Sequence, residues 1–368
     1  MKRSSAKGLS NGSGAIAGGS IKESKLMVRC AVVILNWNGI EFLKKFLPGV
    51  LDYSADNDTI IYIADNGSQD GSAEYIAENF KGVNLIRLDK NNGFAGGYNL
   101  VLEQIDARYY VLLNSDIEVT KGWLEPLISF MENNPDVASC QPKILSFLQK
   151  DKFEHAGAAG GFIDKFGYPL CRGRIFDKTE KDEGQYDDQT DIFWSTGACM
   201  VVRADAWKRC GGFDADFFAH MEEIDLCWRF HRSGYRVVYI PQSVVYHFGG
   251  GALPYNSPFK TFLNFRNSLY LLYKNLPDRN LHLILFKRKM LDGVAALFFL
   301  LKGELKSSLA VWKAHMEYYM NFERLKKKRR EAGKEGNKDF TGLILNKNIV
   351  FEFYIKRHKT FSSLKTSL

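Results

Sequence analysis

Short apolar runs rich in β-branched residues alternate with amphipathic stretches from residue 30 to residue 113. The runs at 30–35, 59–64, 83–88 and 109–113 read as strands, since continuous apolar stretches of this length suit strands covered on both faces. Between them, 40–51, 71–80 and 97–106 carry helical spacing. Alternating strands and helices predict an α/β fold whose parallel sheet is joined by right-handed crossovers. Three of the four strands run out into Asn or Asp, at Asn36, Asp65–Asn66 and Asn114–Asp116. Open α/β sheets bind ligands in the crevice beyond such carboxyl ends.

Further along, 172–190 is charged and contains glycine, which predicts a surface loop over the site. Residues 192–250 return to ordered, Gly-punctuated sequence. From Phe259 the pattern is helical and aromatic-rich. Two apolar runs, 281–286 and 291–301, are broken by Lys287, Arg288, Lys289 and Asp292. Neither reaches the ~20 residues that a membrane-spanning helix needs. They fit interfacial amphipathic helices or, equally on pattern, helices packed on the main domain. The expected division is a tail at 1–26, a main domain at 27–255, a helical, membrane-interfacial region at 256–335, and a basic tail at 336–368 with strand-like pieces.

The 368 residues, 45% hydrophobic and 14% aromatic, suffice for two or three domains with a sizeable core. The net charge of +8 conceals a split. Residues 30–255 carry 21 Lys and Arg against 32 Asp and Glu, whereas 256–368 carry 23 against 9. An acidic body with a basic end suggests an anionic partner, lipid or nucleic acid, and a solvated tail is the plainer reading. The run 324–330, six of its seven residues basic, favours an anionic membrane surface. The acidic body and the lack of a recognisable module speak against nucleic acid. Six cysteines without a CxxC pair point to reduced core thiols in a cytosolic protein, and away from zinc. Residues 1–26, rich in Gly and Ser without an apolar h-region, read as a disordered tail, with Met27 as an alternative start.

Six polar cassettes carry the chemistry. LLNSD (112–116) ends in Asp116, which is either a hard oxygen ligand for a divalent cation on a diphosphate or a turn cap. In ADNGSQDGS (64–72), Asp65 can accept from the ring N–H of uracil or thymine, while Ser68 and Asp70 suit capping of the next helix. NNGFAGGYN (91–99) has glycines that let a backbone approach a ligand, without dinucleotide or P-loop spacing. WSTGACMVVR (194–203) sets a strand after a small-residue turn, suited to the floor beneath a sugar or to an ordinary buried strand. EEIDLCWR (222–229) opens a helix with three carboxylates in four residues, more than capping requires, so one can be a general base with a raised pKa. Asp225 and Arg229 have ion-pair spacing. In VVYHFGGG (244–251), His247 leaves a strand before three glycines. A lone His is more often structural, but this oxygen-rich cleft otherwise lacks a nitrogen ligand.

Taken in order over residues 32–275, these cassettes, with ILNWNG (34–39), resemble the family 2 inverting glycosyltransferases of the rhamnosyltransferase-like kind. FRNS (265–268) and YKN (273–275) look like the helix that follows in such enzymes. The resemblance implies a GT-A nucleotide-diphospho-sugar transferase fold, Rossmann-like with a mixed, mostly parallel sheet, and a C-terminal helical membrane-associating extension. It implies a Mg2+ or Mn2+ ion at Asp116 and His247, with Asn114 where the family often has Asp. Glu223 falls at the catalytic base, as Glu instead of Asp, with Glu222 beside it. Asp65 looks like the base-recognition acid, and Trp194 like an aromatic near sugar and acceptor. Asn36, Asn66, Asn92, Gly93, Gly96, Asn114, Gly197, Asp225 and Arg266 complete the substrate-binding set. The implied donor is dTDP-rhamnose or a UDP-sugar, and the implied acceptor a glycan or lipid-linked glycan at the cytoplasmic face of the cell membrane. The alternative is a catalytically weak nucleotide-sugar or glycan-binding protein on the same fold, since Asn114 and Glu223 replace common aspartates.

Overall fold

A computed structural model describes residues 28–54, 58–249, 257–332 and 341–364. The Gly/Ser-rich segment 1–26 lies outside these residues, as do Gly250 and Gly251. The strands and helices β1 (Val28–Asn36), α1 (Ile40–Ser54), β2 (Thr59–Asn66), α2 (Ser72–Asn79), β3 (Asn84–Leu88), α3 (Gly93–Leu102) and β4 (Ala107–Leu113) follow the predicted alternation. All four strands pair in parallel, in the order β3-β2-β1-β4. Their side chains alternate between two buried layers. Val32, Ile34, Val111 and Leu113 face Leu43 and Leu47 of α1, whereas Ala31, Val33, Tyr110 and Leu112 face Tyr98 and Val101 of α3.

The helix α3 starts at Gly93 rather than near Gly97, and ends at Leu102 rather than near Asp106. The reason is tertiary. The first N–H groups of a helix need outside acceptors, and the carbonyl of Phe218 accepts from Phe94 N at 2.7 Å and Ala95 N at 3.2 Å. The glycine run is therefore the first turns of a helix.

Next come β5 (Ile117–Val119), α4 (Glu125–Asn133), β6 (Val137–Ser146), β7 (Gly161–Asp164), β8 (Pro169–Cys171), β9 (Arg174–Ile175), β10 (Lys178–Thr179) and β11 (Thr190–Asp191). After them follow β12 (Cys199–Arg203), α5 (Ala204–Arg209), α6 (Glu222–Arg232) and β13 (Arg236–His247). The strand β12 runs antiparallel between β4 and β6, and β13 lies parallel to β6 and antiparallel to β5. The sheet is thus mixed, mostly parallel at its first half. A second small sheet has the order β10-β9-β8-β7-β14, with β14 at Ile344–Leu345. The segment 172–190, expected as a surface loop, supplies two strands of this sheet and buries Arg172, Arg174 and Ile175.

The C-terminal third is helical as expected: α7 (Pro258–Asn275), α8 (Leu281–Leu301), α9 (Leu305–Met320) and α10 (Phe322–Ala332), then α11 (Ile349–Tyr354) after β14. Residues 341–364, expected within a basic tail, are folded. Ile349 N donates to Asp164 Oδ2 at 2.9 Å, and Phe361 N to Glu180 Oε1 at 2.8 Å. Three of the six basic residues of the run in α10 pair with residues outside the helix. Arg324 pairs with Asp216 at 3.0 Å, Lys328 binds Asp214, and Arg329 binds Asp278 and the Tyr273 carbonyl.

The inner face of α8 holds a charged pair beside the buried Leu281 and Leu285. Arg288 and Asp292 face inward and pair at 2.8 Å, with the guanidinium 3.9 Å over the Tyr168 ring and donating to the Phe166 carbonyl. Leu283, Phe286, Met290, Val294, Leu297 and Leu301 face outward, beside Leu305, Leu309, Trp312 and Met316 of α9. Among the described residues, no helix is long and apolar enough to cross a membrane.

Candidate active site

The carboxyl ends of β1, β2 and β4 lie side by side, as parallel pairing requires. Asn36 is the register partner of Asp65. Its Nδ2 donates to Asp65 Oδ1 at 3.4 Å and Ser68 Oγ at 3.2 Å. Asn36 Oδ1 is buried with no hydrogen-bond partner among the described residues. Gly39 is required beside it, because a Cβ there would lie 2.5 Å from that oxygen. Asp65 is buried and accepts from Ser68 N at 3.0 Å. Each of its oxygens keeps a lone pair for a further donor. Asp70 Oδ1 accepts from Ser72 N at the start of α2, but Ser68, expected as a cap, makes no cap bond to that helix. Ser68 Oγ also accepts from Asn38 N, and Asp70 Oδ2 from Ile40 N, both at 2.9 Å, so they tie the β1 and β2 turns together.

Asn114 and Asp116 follow β4, and Asp116 immediately precedes β5. Because Ile117 of β5 is opposite His247 of β13, the two predicted ligands meet. Asp116 Oδ1 lies 3.1 Å from His247 Nε2. On the other ring edge, Glu154 Oε2 lies 3.0 Å from His247 Nδ1. Burial disfavours an imidazolium, but Asp116 and Glu154 outweigh it and raise His247 to about 10. Glu154 falls to about 2, burial being overcome by the His247 bond. The sequence reading missed Glu154. It lies 93 residues from His247 in a charged stretch, and only the β6–β7 connection brings it there. Among the described residues, no three His, Cys, Asp or Glu side chains converge as a closed metal site. Asp116 and His247 Nε2 would supply two ligands, a donor set that suits a divalent ion completed by diphosphate oxygens. A carboxylate on the far nitrogen of a metal-ligating His is the usual orienting partner, and Glu154 fits that place.

Glu222 and Glu223 open α6. The turn before them carries Phe218, whose carbonyl holds the start of α3 beyond the end of β3, so both glutamates are delivered to the same edge of the sheet. Glu222 is buried and Glu223 half-buried. Burial pushes Glu223 up to about 7, and burial together with the Glu223 charge pushes Glu222 well above the usual carboxylate range. Glu222 Oε2, Glu223 Oε2 and the neighbouring His220 Nε2 are buried without hydrogen-bond partners among the described residues. Buried polar atoms are ordinarily paired, so such a group marks a place where a ligand or water completes the set.

Several expected substrate contacts are committed elsewhere. Asp225 is fully buried and bonded to Arg229, Lys274 and Asn275, leaving it no route to a substrate. Arg266 donates to the carbonyls of Asp216 and Phe217. Trp194 is a core residue whose Nε1 donates to the Phe162 carbonyl at 3.0 Å, its ring lying where a Gly161 Cβ would be. Asn66 pins the turn ahead of α3, accepting from Asn92 N and donating to the Gly93 carbonyl. Asn92 donates to the Lys90 carbonyl. The close approaches at Gly93 and Gly197 are to Phe218 and Phe94 of the chain itself. Gly96 has only the Asn92 Cβ near its own missing side chain.

Residues 31–211 match the family model described as glycosyl transferase family 2. The chain is 24% identical over 231 residues to the N-acetylglucosaminyl-diphospho-decaprenol L-rhamnosyltransferase of Mycobacterium tuberculosis, covering 59% of this chain and 75% of that protein. It is 26% identical over 227 residues to the rhamnosyltransferase WbbL of Escherichia coli K12, covering 59% and 82%. Its fold is similar to the crystal structure of GalNAc-T7 with UDP, GalNAc and Mn2+, with a TM-score of 0.53 at 14% identity. That likeness, of fold alone, covers 68% of this chain and 48% of the other.

Proposed function

Since the chain belongs to glycosyl transferase family 2 through residues 31–211, we propose that it is an inverting transferase moving a sugar from a pyrimidine-nucleotide diphosphate donor to an acceptor hydroxyl. dTDP-rhamnose is the first candidate donor and a UDP-sugar the second, in keeping with the names of the two relatives. The acceptor is a glycan or lipid-linked glycan of cell-surface polysaccharide. The supporting observation is the group of orphaned buried atoms at Glu222, Glu223 and His220, on the sheet edge that also holds Asp65 and the Asp116–His247 pair.

In this reading Asp65 accepts from the base ring N–H. Glu223, ionised above about pH 7, takes the proton from the acceptor hydroxyl. The oxygen attacks C1 as the bond from C1 to the diphosphate breaks, and the nucleoside diphosphate leaves with the electron pair. Attack from the opposite face inverts the anomeric centre. Asp116 and His247 would hold Mg2+ or Mn2+, which when bound neutralises charge on the diphosphate. No acid is needed on the leaving group, so one base suffices.

The outward apolar face of α8 and α9 is proposed to rest on the cytoplasmic face of an anionic membrane. Lys287, Lys306 and Lys313 on these helices and Lys302 between them are exposed, against exposed Glu304, so charge and apolar area both suit such a surface.

The test is turnover of dTDP-rhamnose and UDP-sugars with Mn2+, with the product anomer read by NMR. Glu223→Gln should lower kcat by about 10²–10⁴-fold while nucleotide binding persists. Donor binding without turnover by the wild type would instead establish the weak binding-protein reading.

A further inference from the structure

We propose that α7 is a positioning clamp for the general base: Arg266 and Asn267 hold the turn before α6, and Lys274 and Asn275 hold the helix just after it, so that Glu223 is presented in one pose. This rests on the reading of Glu223 as the base. The turn leading into α6 is unusual. Phe218, His220 and Met221 have φ values of 63°, 69° and 74°, three non-glycine residues in the left-handed region within four positions. Such a backbone persists only where its surroundings over-determine it.

The surroundings do so completely. Asn267 is fully buried, and its Nδ2 lies 2.9, 2.9 and 2.7 Å from the carbonyls of Phe217, Ala219 and His220. Its Oδ1 accepts from Arg266 Nε at 2.9 Å, and Arg266 Nη2 donates to the carbonyls of Asp216 and Phe217 at 3.0 and 3.1 Å. The remaining carbonyl, Phe218, is held by the start of α3. Every carbonyl from 216 to 220 is therefore gripped from outside the turn.

Two helical turns along α7, on the same face, comes the second grip. Lys274 Nζ bonds Asp225 Oδ2 and Asp214 Oδ2, both at 2.9 Å, and Asn275 Nδ2 donates to Asp225 Oδ1 at 2.8 Å. The two grips bracket Glu222 and Glu223 in the chain. Glu223 Oε2 has no hydrogen-bond partner among the described residues, and its carboxyl accepts hydrogen bonds from the backbone at Met221, Glu223 and Ile224, so the backbone sets its pose. Arg266, expected from sequence to touch substrate, is on this account a positioning residue.

Asn267→Asp keeps shape but turns the two amide hydrogens into acceptors facing three carbonyls. The expected result is a fall in kcat of about 10²-fold, the scale of a 1 Å misplacement, with donor KM within about threefold and near-native circular dichroism. Arg266→Lys, which keeps the charge but loses the two-carbonyl fork, should show the same kcat-against-KM split and carries the test if Asn267→Asp does not fold. A normal kcat in the folded variant, or equal losses in donor binding and kcat, overturns the clamp. Glu223→Gln is run alongside. If it is inactive while Asn267→Asp is fully active, only the clamp falls; if it retains full turnover, the base assignment falls and takes the clamp with it.

Discussion

Asp116, His247 and Glu154 form a line of contacts in which each ring nitrogen faces a carboxylate. Removing the Asp116 carboxylate leaves His247 as the only protein ligand of the proposed pair. Asp116→Ala should therefore abolish turnover and remove the Mn2+-dependent part of UDP or dTDP binding, measured by calorimetry with and without the ion. Unchanged turnover would show that the ligand assignment is wrong. For Glu223 the pH dependence follows from burial. Its carboxyl is protonated below about pH 7 and so cannot act as a base there. The profile of kcat/KM should rise with pH and level off above about 7, and a flat profile down to pH 5 would rule out Glu223. Stability runs the other way. A carboxyl whose folded pKa lies above its unfolded value, here about 7 against 4.5, binds its proton more tightly when folded. It contributes stability below about pH 4.5 that is lost as pH rises through 7. Glu223→Gln should accordingly match the wild-type Tm near pH 4 and exceed it at pH 8.

At the scale of elements, the sequence pattern located β1 to β4 and the helices between them, because apolar runs and helical spacing are local properties. It misjudged α3 and the segment 172–190, whose states depend on partners distant in the chain: the Phe218 carbonyl for one and the small sheet for the other. The helices of this region were expected either at a membrane interface or packed on the main domain, and Arg288 and Asp292, with Leu281 and Leu285, dock α8 on the body. A buried pair broken on one side leaves an uncompensated charge. Arg288→Ala should lower stability by about 3–5 kcal/mol in chemical denaturation, whereas Lys287→Ala, exposed on the same turn, should change it by less than about 0.5 kcal/mol. An apolar stripe of α8 remains outside. Phe286→Ser with Trp312→Ser should reduce co-sedimentation with anionic vesicles several-fold while leaving turnover of a soluble acceptor intact. Vesicle binding that survives the double substitution would remove the membrane reading of this face.

For the molecule as a whole, the candidate site was legible to the extent that it lies at strand ends. Asn36, Asp65, Asn114 and Asp116 could be placed at one sheet edge from parallel topology alone, and the Glu222–Glu223 pair was conspicuous as an excess of charge at a helix start. Glu154 and the Arg266–Asn267 clamp were not legible, because their partners are 93 residues away in one case and about 50 in the other. Part of the asymmetry between acidic body and basic end is taken up by internal pairs between α10 and Asp214 and Asp216. The sequence by itself determined the strand–helix alternation, the family and the polar residues at the strand ends, since hydrophobic periodicity and short motifs are written along the chain. Only the tertiary structure decided which of those polar groups remain open to a ligand. A side chain's hydrogen-bonding capacity is spent by whatever the fold brings beside it, and that is how the polar groups of Asp225, Arg266 and Trp194 came to be committed within the fold while Glu223 was left half-buried and incompletely paired.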